Sequence, residues 1–109
     1  GFPVLFLAIL RNDYKLVKYL IDKGANVHIT NNVNCNALYF VSSPDLSDCN
    51  KFMKYQLMIA ELLLNNGVNV NHISNYNKPP IYYAIKNDCK EIVQLFIKHG
   101  AKIDDLSIY

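Results

Sequence analysis

The chain has 109 residues, 51% of them hydrophobic, and a formal net charge of +2. At that size it is one short domain whose unfolded surface is only partly buried on folding, so a core must be assembled economically. Its cations are scattered, with no block of lysines or arginines able to track a phosphate backbone, and nucleic acid is not an expected partner.

The longest apolar run, residues 2–10, falls far short of the roughly 20 residues that a membrane helix needs. It also lacks a basic leader and a small-residue cleavage site, so neither a membrane span nor a signal peptide is expected. Cys35, Cys49 and Cys89 are odd in number and lack the paired short spacing of a zinc site or a disulfide framework. A reducing compartment follows, and no Asn-x-Ser/Thr acceptor argues against it. The expected location is the cytoplasm, with the nucleus as the alternative.

In chain order, residues 8–20 place Ala8, Ile9, Leu16, Val17 and Leu20 at helical spacing, interrupted at Asn12-Asp13. That pattern predicts a helix, a tight turn and a second helix. Gly24 follows, the usual residue for the left-handed position beyond a helix end. Residues 27–36 then hold Asn31, Asn32 and Asn34, and since Asn tolerates positive φ they predict a turn-rich finger. The second unit predicts a first helix near Ala37, an insertion within residues 42–51, and a longer second helix over residues 52–64 closing at Gly67. A second finger occupies residues 70–78, with Asn75 and Asn77. The third unit repeats the first: Ala84 and Ile85, a break at Asn87-Asp88, then Ile92, Val93, Leu95, Phe96 and Ile97 before Gly100.

The three glycines stand 43 and 33 residues apart, which sets a unit of about thirty-three residues with one enlarged copy. Three units are thus expected, near residues 1–33, 34–76 and 77–109. Leu5, Leu7, Leu16 and Leu20 at one end and Ile81, Ile92, Leu95 and Phe96 at the other are ordinary internal residues, without the polar substitutions of a capping unit. A segment of a longer array is expected, or ends that stack on another chain.

The first-helix motif reads Pro3-Val4-Leu5-Phe6-Leu7-Ala8, Asn36-Ala37-Leu38-Tyr39-Phe40-Val41 and Pro79-Pro80-Ile81-Tyr82-Tyr83-Ala84. The second-helix motif reads Tyr19-Leu20-Ile21-Asp22-Lys23-Gly24-Ala25, Leu62-Leu63-Leu64-Asn65-Asn66-Gly67-Val68 and Leu95-Phe96-Ile97-Lys98-His99-Gly100-Ala101. Together they resemble the ankyrin repeat, with its Thr-Pro-Leu-His-Leu-Ala and Leu-Leu-Leu-x-x-Gly-Ala motifs. The resemblance implies an all-α solenoid of stacked helix-turn-helix units with projecting β-hairpin-like fingers. Two departures bear on stability. The helix-starting Thr is Pro3 and Pro79 in two copies, leaving only Asn36 to supply a side-chain cap. The motif histidine is Phe6, Tyr39 or Tyr82, so its polar link between finger and helix is weakened or rebuilt through a tyrosine hydroxyl.

By the same resemblance, a partner protein meets the finger tips and the concave face of the first helices. Carried over by position, that surface is Phe2, Leu10 and Arg11, then Thr30, Asn32, Val33, Cys35 and Ser43, then Ile73, Asn75, Tyr76, Lys78, Lys86 and Asn87. Leu10, Val33, Ile73 and Tyr76 are more apolar than solvated tips need, and an aromatic or aliphatic anchor beside a lone Arg or Lys has the character of a binding hot spot, Tyr76 first among them; scattered exposed apolar residues are also common without a role. Fingers of this family are also targets of asparaginyl hydroxylation, and Asn71 matches the usual asparagine eight residues after Leu63, although Asn69 replaces the usual acidic residue before it.

For other chemistry the residues offer little. His28, His72 and Cys35 do not converge in spacing on one ion and read as turn residues. No paired carboxylates, Ser-His-Asp set or glycine-rich phosphate loop is present, so no catalysis, cofactor, metal or small-molecule substrate is expected. The insertion reads as tolerated drift before it reads as a functional loop. Ser43-Pro44 reads as a helix cap and first-turn proline before it reads as a phosphorylation site. The aromatic motif, the insertion and an Asn-, Lys-, Ile- and Tyr-rich composition that suggests an AT-rich genome are similar to ankyrin proteins of poxviruses and other large DNA viruses. There, such arrays recruit or block host proteins, often through an F-box-like tail. The expected function is protein binding; the competing one is a structural spacer within a longer solenoid that has no partner of its own.

Overall fold

The computed structural model describes residues 3–41 and 49–103. Phe2, Ser43 with its cap reading, and most of the insertion lie outside them. Five α-helices run in chain order: α1 (Val4–Leu10), α2 (Tyr14–Asp22), α3 (Cys49–Asn65), α4 (Pro80–Lys86) and α5 (Lys90–Lys98). A 3₁₀ turn, Ala37–Phe40, stands between α2 and α3, and no strand is formed among the described residues. An inner row of α1, the 3₁₀ turn and α4 packs side by side, and an outer row of α2, α3 and α5 backs it. This is the stacked helical array that the spacing predicts.

One helix-ending geometry recurs and sets the register. Gly24, Gly67 and Gly100 have φ of +95°, +86° and +94°. After α2, the Gly24 N–H donates to the Ile21 carbonyl and the Ala25 N–H to the Leu20 carbonyl, satisfying two of the orphan acceptors at the helix end. α3 and α5 end on the same pair of bonds. So do α1 and α4, but with Asn12 (φ 56°) and Asp88 (φ 58°) in the left-handed position. Short polar side chains substitute there for glycine, at some steric cost.

Helix starts are less uniform. Pro3 and Pro79 precede α1 and α4 without a side-chain cap, while Pro80 sits in the first turn, where its missing N–H costs nothing. Asp13 caps α2 by accepting from the Leu16 N–H at 3.1 Å. Asn36 caps the 3₁₀ turn, accepting from the Leu38 N–H at 3.1 Å. The second unit differs from expectation in that its first helix is reduced to this single 3₁₀ turn. α1 and α4 continue at the same register through Ile9-Leu10 and Ile85-Lys86, whereas here Ser42-Ser43-Pro44 follows, and proline disfavours helical backbone at the residue before it.

The core is continuous through the units. Leu5, Phe6, Val17, Leu38, Ile59, Leu63, Ile81, Ile92 and Phe96 are all buried. Residues in one register position change exposure with their place in the stack. Leu16 is 36% exposed, whereas Ile59, its equivalent one unit later, is 1% exposed. Ile97 is 44% exposed, whereas Leu64, its equivalent one unit earlier, is 9% exposed. Each terminal unit presents outward the side chains that an inner unit buries against its neighbour. A groove lined by Ile85, Cys89 and Val93 opens on the α4–α5 side.

Candidate interaction surface

Each finger closes on itself in the same way. The Asn31 N–H donates to the Cys35 carbonyl (3.0 Å), and the Asn31 side-chain oxygen accepts from the Val33 and Cys35 N–H groups. One finger later Ser74 replaces Asn31: its N–H donates to the Lys78 carbonyl (3.3 Å) and its hydroxyl oxygen accepts from the Tyr76 N–H. Asn34 and Asn77 take positive φ in the two turns. The fingers then join edge to edge. The Asn75 N–H donates to the Val33 carbonyl at 2.9 Å, and His72 Nε2 lies 2.7 Å from the Asn34 carbonyl, which requires that this nitrogen carry the proton.

Tyr39 ties the inner row to the fingers. Its hydroxyl stands 2.6 Å from the carbonyl oxygens of both His72 and Lys78, and having one proton it donates to one of them at a time. The link is indeed rebuilt through a tyrosine at this copy. Burial is the main cause that holds the Tyr39 phenol well above its usual range, with the nearby Cys35 and Tyr83 adding to it and a bond to Ser74 opposing. Burial likewise raises the Cys35 thiol. Asn36 adds a second bridge, its Nδ2 donating to the Asn69 carbonyl at 2.9 Å, so this buried amide both caps and cross-links.

Aromatic rings run along the inner row. Phe6 packs on Phe40 with centroids 4.7 Å apart, Tyr39 on Tyr83 at 5.6 Å, and Tyr83 meets Tyr82 edge-on at 5.1 Å. Each contact between units pairs the motif's former histidine position with the next residue of the following motif. Lys78 Nζ lies over the Tyr82 ring, 5.1 Å from its centroid. The copies at Phe6, Tyr39 and Tyr82 made this column readable in the alignment of motifs; Phe40 and Tyr83 escaped because they do not occupy a family contact position.

The residues expected to contact a partner fall into two groups. Thr30, Asn32, Asn75, Tyr76 and Ile73 are exposed on the fingers, Tyr76 at 62% and Ile73 at 44%. Val33 and Lys78 are half-buried with their carbonyls engaged in the finger bonds. Cys35 is buried, turned into the junction with Ser74, and is not part of the outer surface. Leu10, Arg11 and Lys86 are exposed and Asn87 half-buried at the far ends of α1 and α4, one seven-residue helix or about 10 Å from the finger bases. Asn71 is half-buried and spends its amide on the third unit, donating to the Gly100 carbonyl (3.0 Å) and accepting from the Lys102 N–H (2.8 Å).

Among the described residues no group of three His, Cys, Asp or Glu side chains is arranged to hold a metal ion, and no helix is long and apolar enough to cross a membrane. The sequence pattern for ankyrin repeats in three copies matches residues 5–106. The chain is 31% identical over 99 residues to an ankyrin repeat protein of fowlpox virus, covering 90% of this chain and 27% of that protein. It is 29% identical over 104 residues to one of Rickettsia bellii, covering 95% and 29%. The chain thus spans under a third of the length of both relatives. The crystal structure of the human ASB11 ankyrin repeat domain superposes with a TM-score of 0.78 at 22% identity, over 93% of this chain and 41% of that one. The shared helix endings, the paired rows and the matched pattern lead to one conclusion: this chain belongs to the ankyrin-repeat family.

Proposed function

We propose that the array binds a protein through its fingers and inner row, in the setting of a viral factor that recruits or blocks host proteins in the host cytoplasm or nucleus. The observation that carries this is Tyr76, a large aromatic side chain left 62% exposed on a finger whose backbone is already fixed by hydrogen bonds to its neighbour. A rigidly presented aromatic costs little conformational entropy on binding, which is how interface anchors gain their affinity. The fowlpox relative supports the viral setting, while the Rickettsia relative offers a bacterial one. The test is quantitative pull-down from host-cell lysate with the parent chain and with Tyr76→Ala, Leu10→Ser and Arg11→Glu combined. Loss of captured proteins by a variant that keeps the parent's circular dichroism supports binding; an unchanged set favours the spacer.

The spacer reading has its own support in the outward-facing Leu16 and Ile97, whose equivalents are buried between units. Further units stacked on both sides would cover them. In that reading residues 1–33, 34–76 and 77–109 are three links of a longer array.

A further inference from the structure

Carboxylates are segregated among the described residues. Among the described residues, the acidic side chains are Asp13, Asp22, Glu61, Asp88 and Glu91. Asp22, Glu61 and Glu91 lie on the outer helices, and Asp13 and Asp88 in the turns that join inner to outer helix. The inner row and the fingers, residues 3–12, 26–41 and 69–87, carry none. Those same stretches hold Arg11, Lys78 and Lys86.

The cations are placed beside rings. Lys78 lies over Tyr82, and Lys86 follows Tyr82 by four residues on α4, which puts the two on one helix face. Tyr83 packs between Tyr39 and Tyr82, and Tyr76 is close enough to help raise its phenol, after burial and the nearby Cys35 and Tyr82. Among the described residues, the finger and inner-row stretches of the second and third units therefore present clustered tyrosine edges and two lysines without a carboxylate on the same stretches. Rings with a few cations suit a protein segment; a nucleic acid strand calls for a longer row of cations along its phosphates.

Resting on the protein-binding reading, we propose that this face receives an extended acidic protein segment, its carboxylates at Lys78 and Lys86 and an apolar or aromatic side chain against Tyr76 and Tyr82. Complementary charge selects and orients the segment, and the tyrosines supply most of the contact.

The probe is a random peptide library displayed on phage, selected on the immobilised 109-residue chain. Selected sequences are then made as fluorescent peptides and titrated by polarisation. The expected result is enrichment of Asp and Glu around an apolar residue, with affinity falling roughly tenfold, about 1.4 kcal/mol, in Lys78→Glu/Lys86→Glu. Replacing the peptide's Glu by Gln should produce a similar loss. Lys86→Glu alone, at an exposed site, keeps the test interpretable if the double variant misfolds. Peptides that lose binding in Tyr76→Ala but show no acidic bias and no response to Lys86→Glu overturn the acidic assignment while leaving protein binding intact. Binders indifferent to Tyr76, Lys78 and Lys86 alike overturn both readings. A single-stranded oligonucleotide that outcompetes the selected peptides also overturns the proposal.

Discussion

Replacing Tyr39 by Phe removes one oxygen and keeps the ring that packs on Tyr83, so it isolates the bond between the inner row and the fingers. The Lys78 carbonyl retains the Ser74 N–H and hydroxyl as donors at 3.3 and 3.4 Å. The His72 carbonyl is the acceptor that suffers. A partly buried acceptor deprived of its donor costs about 1–3 kcal/mol, and with Tyr39 only half-buried about 1.5 kcal/mol is the reasonable figure. For a chain of this size the urea slope is about 1.5 kcal/mol/M, so the unfolding midpoint should fall by about 1 M with the slope unchanged. The assay is urea titration followed by far-ultraviolet circular dichroism, with Tyr55→Phe, at a 45% exposed site, as the neutral control. A midpoint within about 0.2 M of the parent would refute the claim that this hydroxyl joins finger to helix.

Other expectations follow from the same geometry. Because the folded state holds the Tyr39 phenol and the Cys35 thiol above their ordinary values of 10.0 and 9.0, their contribution to stability is complete below about pH 9 and is lost as pH rises toward the folded values. Melting temperature should therefore fall through the alkaline range, and less steeply in Tyr39→Phe; an equal slope in the two proteins counts against the assignment. Asp88→Gly should stabilise by about 0.5–1 kcal/mol, since φ of 58° strains any residue with a Cβ, less the extra freedom glycine gains when unfolded. A lower melting temperature for that variant would contradict the argument. Co-expression with an asparaginyl hydroxylase should add one oxygen to the peptide carrying Asn71, and an unmodified mass after full conversion of a positive-control repeat would remove the idea.

Much of this architecture was legible because glycine has few substitutes in a left-handed position. Gly24, Gly67 and Gly100 gave the register, and the Asn-rich stretches gave the finger turns. The shortened first helix of the second unit was not read, because Leu38 and Val41 keep their core spacing even where only one 3₁₀ turn forms. Cys35 was assigned outward from its place in the finger, but the pairing of Asn31 with Cys35 turns its thiol inward toward Ser74. Asn71 was read only as a modification target; that its amide also bridges two units was not legible, because that role depends on a partner backbone 29 to 31 residues away. Periodic residues reveal the stacking direction; the polar cross-links between copies depend on which atoms meet, and spacing alone does not supply that.

The single 3₁₀ turn of the middle unit makes that unit a borrower of order. With so little helix of its own on the inner side, it is held in shape by what flanks it: Phe6 against Phe40 on one side, and Tyr39, Asn36 and the finger bonds on the other. In a linear chain of coupled units, the least self-sufficient one sets where the whole comes apart. Anything that grips both fingers would clamp that joint, so a bound partner should slow amide exchange at Val33 and Asn75 together, and the mechanical weakness of the middle becomes a gauge of occupancy.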